Sequence, residues 1–284
     1  MKRFLQTLGR DPLSALLSGL VWASAGITLT ALLFTIFYIV IRGLPHLSAD
    51  LFAWQYTSEN VSLMPALINT LWMTALALAV SVPTGVGAAI YLTEYARRGS
   101  RLVTAVRLTT ETLSGIPSIV FGLFGNLFFV KTLGMGLSLL SGGLTLALMI
   151  LPLILRTAEE ALRAVPDSFR EGSFGLGAGR LRTVMRVVLP AAVPGILSGV
   201  ILGIGRVVGE SAALIFTAGT VAQAAGGLFD SARTLAVHMY AISGEALRLE
   251  QTYATALVLL GLVICINGLS NLAARKLGGN HTCE

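Results

Sequence analysis

Apolar residues run through the chain in six long blocks, at about 15–41, 65–93, 108–130, 138–156, 190–217 and 252–274, separated by stretches rich in charge, glycine and proline. Each block is near or above the roughly 20 apolar residues that a helix needs to cross about 30 Å of hydrocarbon. The pattern predicts an all-α polytopic membrane protein with six transmembrane helices. The first block outruns the apolar core of a signal peptide, about 7–15 residues, and no small-residue cleavage site follows it.

Composition agrees. Of 284 residues, 55% are hydrophobic and 12% charged, with a mean hydropathy of +0.80, which leaves too little polar surface for a soluble globule. The net charge of +6 would point to nucleic acid in a soluble chain. Here no basic patch interleaves with aromatics, so no nucleic-acid partner is expected and the arginines are read as membrane-end residues. Cys265 lies in an apolar block and Cys283 in the polar tail, a spacing that favours neither a disulfide nor a metal site.

Charge then orients the spans. With the N-terminus in the cytoplasm, Lys2, Arg3, Arg10, Arg97, Arg98, Arg101, Arg107, Arg156, Arg163, Arg170, Arg180, Arg182, Arg186, Arg275 and Lys276 share one side. Only Arg42, Lys131, Arg233 and Arg248 remain on the other. Both termini are therefore expected in the cytoplasm. The far side carries loops at about 43–64 and 218–251, and "FDSARTLAVHMYAISGEALR" in the second reads as a short amphipathic helix at the interface.

Two charges fall inside a block. In "GILSGVILGIGRVVGESAALIFTAG", residues 195–219, Arg206 and Glu210 stand at i and i+4, on one helix face, where they can neutralise each other. One reading is a buried ion pair that locks the fifth span to a neighbour. The other is a pathway arginine, whose planar fork suits an oxyanion. In the third span, "ETLSGIPSIVFG" places Pro117 and Ser118 together. Pro117 should kink the helix and free backbone groups for a pore lining, while Gly115 and Gly122 equally suit close packing. Glu111, four residues after Arg107, reads as a surface pair, and Pro83, Gly85 and Gly87 as a kink with tight packing in span two. Asn69, Asn126 and Asn267 read as interhelical hydrogen-bonding residues.

The loop between spans four and five, "RTAEEALRAVPDSFREGSFGLGAGRLRTVMRVVLPAAVPG", is punctuated. Pro166 and Asp167 break the helix that continues span four. Ser168 with Glu171 makes a capping-box pattern that starts a short helix ending near Gly175–Gly179. A second basic helix then leads to Leu189 and Pro190, where span five enters. The short helix carries Phe169, Phe174 and Leu176 in a water-facing segment, which fits either a hairpin packed on its own membrane domain or a knob for a soluble partner.

Glu171, Gly172, Ser173, Gly177, Val187, Leu189 and Pro190 resemble the E-A-A-x-x-x-G-x9-I-x-L-P loop of ABC-importer permeases, with Gly and Ser for the two alanines and Val for Ile. Gly172 in place of alanine costs roughly 1 kcal/mol of helix propensity. "NTLWMTALALAVSVPTGVGAAIYLTEYA", "ETLSGIPSIVFGLFG", "LALMILPLILRTAEEALRAVPDSFREGSFGLGA" and "ILGIGRVVGESAAL" each look like the matching stretch of the PstA-type permeases of phosphate ABC importers, over about 63–275. The resemblance implies a MetI-like fold in the bacterial inner membrane, with residues 1–62 holding the first span and its loop, 63–275 the transmembrane domain with its loop at about 157–190, and 276–284 a cytoplasmic tail. It implies a sister PstC-type permease, a PstB-type ATPase dimer and a PstS-type phosphate-binding protein as partners, besides membrane lipid. It implies that a helix at about 168–178, with Glu171, Gly172, Ser173, Phe174, Gly177, Leu189 and Pro190, couples to the ATPase. The pathway would include Arg206 and Glu210, joined by Ser118 and Pro117.

No cofactor, metal or catalytic residue is expected of this chain. It has no G-x-x-x-x-G-K-[ST] phosphate loop, so ATP and magnesium belong to the ATPase. His46, His238 and His281 are scattered, and no HExxH or GxSxG occurs. The alternatives are an importer permease for another oxyanion or a proton-coupled secondary transporter, for which Glu210 is the deep carboxylate available.

Overall fold

The computed structural model describes residues 12–97, 99–244 and 248–278, and every regular element among them is helical. Lys2, Arg3, Arg10, Arg98, His281 and Cys283 lie outside the described residues. In chain order come α1 (Pro12–Gly43), 3-10 turns at Leu44–His46 and Ala49–Phe52, α2 (Met64–Ile90) with a terminal π turn (Tyr91–Tyr95), and α3 (Arg101–Ser114). Next are α4 (Ser118–Gly125) with a π turn (Asn126–Thr132), α5 (Leu139–Ala164) and α6 (Asp167–Gly175). The last elements are α7 (Arg180–Thr183), a π turn (Val184–Val188) leading into α8 (Leu189–Val208), α9 (Ala212–Thr217), α10 (Leu235–Ser243) and α11 (Leu249–Gly278).

Five of these runs are long and apolar enough to cross a bilayer, and the α3–α4 pair makes a sixth span only as a broken one, bent by 104°. A single kinked helix over 108–130 is thus corrected. Proline drives its predecessor, Ile116, away from helical geometry, so α3 closes at Gly115 and Pro117 becomes the extended N-cap of α4. Pro190 is tolerated differently. The π turn before it lets the Leu189 amide bond the Val184 carbonyl, and the helix runs unbroken from Arg180 to Val208 instead of starting anew at Leu189.

The core lies between α2 and α5, where Met73, Ala77, Leu146, Met149 and Ile150 are buried. Lipid gives apolar side chains little reason to desert it for each other, so packing depends on close backbone approach. A Cβ on Gly199 of α8 would collide with Thr157 of α5, and one on Gly122 of α4 would stand 2.7 Å from the Ala213 backbone of α9. Many span hydroxyls bond within their own helices, as in Thr70 to Ala66 and Thr74 to Thr70, both at 2.7 Å. α1 packs mainly on α11 and turns Leu20, Ile27 and Phe34 outward.

α10 corrects a second expectation. It is not an interfacial amphipathic helix: Leu235, Ala236, Val237 and His238 are all buried. A run of consecutive apolar side chains points in every direction around a helix and needs cover on all of them. Thr234 caps α10 by accepting from the Val237 amide, and the Leu235 amide donates to Thr70 of α2 at 2.8 Å. Asn69 adds three bonds to the preceding loop, donating to the Gln223 and Arg233 carbonyls and accepting from the Ala225 amide. Asn69 thus clasps a helix to a loop where a helix-to-helix bond was expected, whereas Asn126, which donates to the Phe216 carbonyl of α9 at 2.7 Å, makes the interhelical bond expected of it.

Candidate functional site

Arg206 sits in the last turn of α8, and Glu210 does not share its helix. α8 ends at Val208 with Gly209 as its cap. The chain turns, and the Glu210 carboxylate accepts the Ala213 amide at 3.2 Å, holding the start of α9. No ion pair joins Arg206 and Glu210 among the described residues. The i, i+4 neutralisation read from the sequence is corrected, because it needed an unbroken helix through Gly209.

The Arg206 guanidinium makes no hydrogen bond or ion pair to any described residue. It is half-buried and lines an open cavity of about 710 Å³ with Leu153, Ser198, Ile201, Leu202, Gly205 and Asn267. Buried Val207 and Val208 beside it fix the helix face that looks inward, and the side chain of Arg206 is left on the cavity side. Asn267 of α11 brings a carboxamide with no side-chain partner among the described residues, and Ser198 brings a hydroxyl that donates to the Pro194 carbonyl at 3.1 Å. A cation, an amide and a hydroxyl thus converge on one apolar-walled space, which is a chemistry for transient anion contact. Ser118, Pro117 and Glu210 do not line this cavity. Asn267, read from the sequence as an interhelical hydrogen-bonding residue, does; an amide inside an apolar span was the available signal.

The loop helix stands clear at one end of the molecule. α6 begins at Asp167 with Pro166 as N-cap, so Ser168 lies inside the helix and the capping box does not form. Its other end is a Schellman turn. The Gly177 amide bonds the Phe174 carbonyl at 2.9 Å, the Ala178 amide bonds the Ser173 carbonyl at 3.1 Å, and Gly177 takes φ +79°. Ser173 meets Thr183 of the returning helix, hydroxyl to hydroxyl at 2.8 Å. Phe169, Phe174, Leu176, Glu171 and Gly172 are exposed, Leu176 to 91%. Leu189 instead packs on the cluster of Ala158, Leu162, Val188 and Ala192, and Pro190 sits at the α8 entry. Those two shape the return of the chain and add nothing to the exposed face of α6.

Arginines crowd this same end. Arg107 does not pair with Glu111: its Nη2 reaches Oε1 of Glu159 on α5 at 2.7 Å, and Arg163 reaches the same oxygen at 2.8 Å. Glu159 is 6% exposed, and two cations make its burial tolerable.

At the opposite end, His238 is buried and meets the Tyr56 ring edge-on, and the Arg233 guanidinium lies over that ring, 4.6 Å from its centroid. Burial first, then the charges of Arg233 and Arg248, push the His238 pKa down to about 3, with the Val61 backbone acting weakly the other way. The folded state therefore refuses a proton that the unfolded chain takes up below about pH 6.5. Stability conferred by the neutral ring is complete above that value and falls as pH drops toward 3. Between pH 7 and pH 5 the loss should be about 2 kcal/mol. Thermal unfolding of the purified chain at both pH values should show it, and His238→Gln should flatten the difference whatever it costs at pH 7.

Residues 81–279 match the profile of a family described as binding-protein-dependent transport system inner membrane component. Among curated relatives, a probable ABC transporter permease protein of Bacillus subtilis, YqgI, is 32% identical over 95% of this chain and 97% of its own length. Phosphate transport system permease protein PstA 1 of Mycobacterium tuberculosis is 40% identical, over 54% of this chain and half of its own length. The Haemophilus influenzae PstA is 33% identical over 72% of each chain. Among solved structures, a bacterial ABC transporter involved in the import of the acidic polysaccharide alginate superposes with a TM-score of 0.63 over 96% of this chain and 99% of that one, at 16% identity, a likeness of fold alone. With the family profile covering most of its length and its all-helical architecture shared, the chain belongs to the binding-protein-dependent, MetI-like inner membrane permeases of ABC importers.

Proposed function

We propose that this chain is one permease of an ATP-driven importer of inorganic phosphate, working with a sister permease, an ATPase dimer and a phosphate-binding protein. The observation that carries the reading is Arg206, without an ion-pair or hydrogen-bond partner among the described residues, facing an apolar-walled cavity. A phosphate ion cannot enter hydrocarbon, and the guanidinium offers it paired donors and an opposite charge, with no carboxylate among the described residues paired to it. The names of the mycobacterial and Haemophilus relatives support phosphate as the ion.

The arginine-rich end is then the cytoplasmic face, as the positive-inside rule requires. There α6 offers Phe169, Phe174 and Leu176 to a groove on the ATPase, with Glu171 exposed beside them. Leu153 of α5 and Asn267 of α11 wall the cavity on one side, and a second permease would close the other. Glu210 acts on the pathway indirectly, by fixing the α8–α9 turn that ends beyond Arg206.

The test is uptake of radiolabelled phosphate by phosphate-starved cells that lack this chain and any redundant importer. Uptake should vanish and return with the chain supplied in trans. Undiminished phosphate uptake together with lost uptake of another oxyanion would transfer the assignment to that anion.

A further inference from the structure

Arg170 is the most heavily bonded side chain on α6, and apart from the exposed Asp167 its partners lie on other elements. Its Nε and Nη2 hold the Glu94 carboxylate at 3.1 and 2.7 Å, Nη1 reaches the Val165 carbonyl at 2.8 Å, and Nη2 reaches the Leu162 carbonyl at 2.9 Å. The Asp167 carboxylate adds a bond at 3.2 Å. Glu94 belongs to the π turn that ends α2, and the two side chains are 9% and 15% exposed. Leu162 and Val165 are the orphan carbonyls at the end of α5. One guanidinium therefore ties the loop helix to the ends of both core helices.

The rest of α6 is held lightly. Its contacts are with the returning α7 and π turn, including the Ser173–Thr183 bond, and among the described residues Glu94–Arg170 is the one ion pair joining it to α2. At the far end of α2, Asn69 makes three bonds to the 223–233 loop, and Thr70 accepts the Leu235 amide. α2 thus has a charged latch at one end and an amide clasp at the other, and it packs along its length on α5.

We propose that Glu94 and Arg170 are positioning residues that make α2 the rod linking the loop helix to the opposite-face loop at 223–235, so that a shift of α6 moves that loop, and binding there is felt by α6. The proposal rests on the reading of α6 as the ATPase docking helix. The fork geometry matters because it resists rotation as well as separation, which a single point charge would not.

The experiment uses the assembled importer in proteoliposomes, with binding protein and phosphate. Glu94→Gln keeps the shape and removes the charge that grips Arg170. It should leave assembly and basal ATP hydrolysis unchanged, while phosphate moved per ATP and stimulation by the binding protein each fall about tenfold, within the usual range for coupling between sites. Asn69→Ala, at the other end, should give the same phenotype. The double variant should be no worse than either single, since a rod cut once is already cut. Asp167→Asn, whose partner bond is exposed, should stay near wild type.

A merely structural role would lower assembly and basal hydrolysis together. If Glu94→Gln keeps the wild-type ratio of transport to hydrolysis, or the two defects multiply, the rod is overturned. Should Glu94→Gln fail to assemble, spin labels at Tyr91 and Ser168 in the otherwise native complex decide. A separation that holds through the ATP cycle supports the latch, and a change of about one helical turn, 5.4 Å, overturns it. Cross-linking of a cysteine at Phe174 to the ATPase keeps the two failures apart, because its absence refutes docking, whereas its presence with unaltered coupling refutes only the rod.

Discussion

Arg206→Gln should abolish phosphate uptake while leaving membrane insertion, complex assembly and thermal stability as they were. The structure makes the second half of that expectation sharp. Were Arg206 half of a buried pair, its loss would strand the Glu210 carboxylate and cost about 3–5 kcal/mol. Glu210 is occupied elsewhere, capping α9 through the Ala213 amide, so no stranded charge is created. The first half follows from desolvation. An oxyanion entering the cavity loses water, and a neutral amide at 206 offers dipoles where a full charge stood. Arg206→Lys should restore uptake only in part, since it returns the charge without the planar fork. Asn267→Ala should reduce uptake by less than the loss of Arg206, because it removes a neutral partner on the facing helix. The discriminating variant is Arg206→Gln with Glu210→Gln. It should stay inactive, and it should be slightly less stable than Arg206→Gln alone because the negative charge at the start of α9 has been removed, a loss of about 0.5 kcal/mol. Complex yield, melting temperature and uptake would be compared across the set, and normal transport by the double variant would end the pathway role of Arg206.

The six apolar blocks were legible because length and composition alone decide whether a segment prefers lipid. α6 was legible because Pro166 and Gly177 punctuate the chain on either side of it. The breaks inside apolar runs were not. Gly203 and Gly205 stay helical while Gly209 closes α8, and Pro83, Pro152 and Pro194 remain inside helices while Pro117 ends one. The residue type is the same in each set, and the surrounding packing selects the outcome. Side-chain partners were hidden for a related reason. Arg107 has Glu111 one turn along its own helix, yet it turns to Glu159 on α5, where a shielded carboxylate binds it better than an exposed one. Asn267 and Arg206 lie 61 positions apart in the sequence, and only the crossing of α8 by α11 brings them to one cavity.

Gly177→Val should release the ATPase and stop transport without disturbing the membrane-embedded part of the chain. The reason is conformational, since nothing stands within 4 Å of where a Cβ at 177 would lie, and the added volume meets open space. What the residue must do is hold φ at +79° so that its own amide and that of Ala178 close the Schellman turn on Phe174 and Ser173. A side chain there costs about 1–2 kcal/mol, with a β-branched one at the upper end. Such a cost is large for a nine-residue helix whose described ties are Arg170 at the inner face and Ser173 to Thr183 near its end. Gly177→Asn, which visits the left-handed region readily, should remain near wild type. Gly177→Asp should fold almost as well as Asn and still bind the ATPase poorly, because it sets a second carboxylate beside Glu171 on the exposed face. Protease sensitivity of the loop, ATPase co-purification and uptake separate the three. Val should fail in all of them, Asp in the last two and Asn in none. Equal behaviour of Asn and Val would show that the turn is not what presents α6, and retained association in Asp would show that the ATPase docks elsewhere.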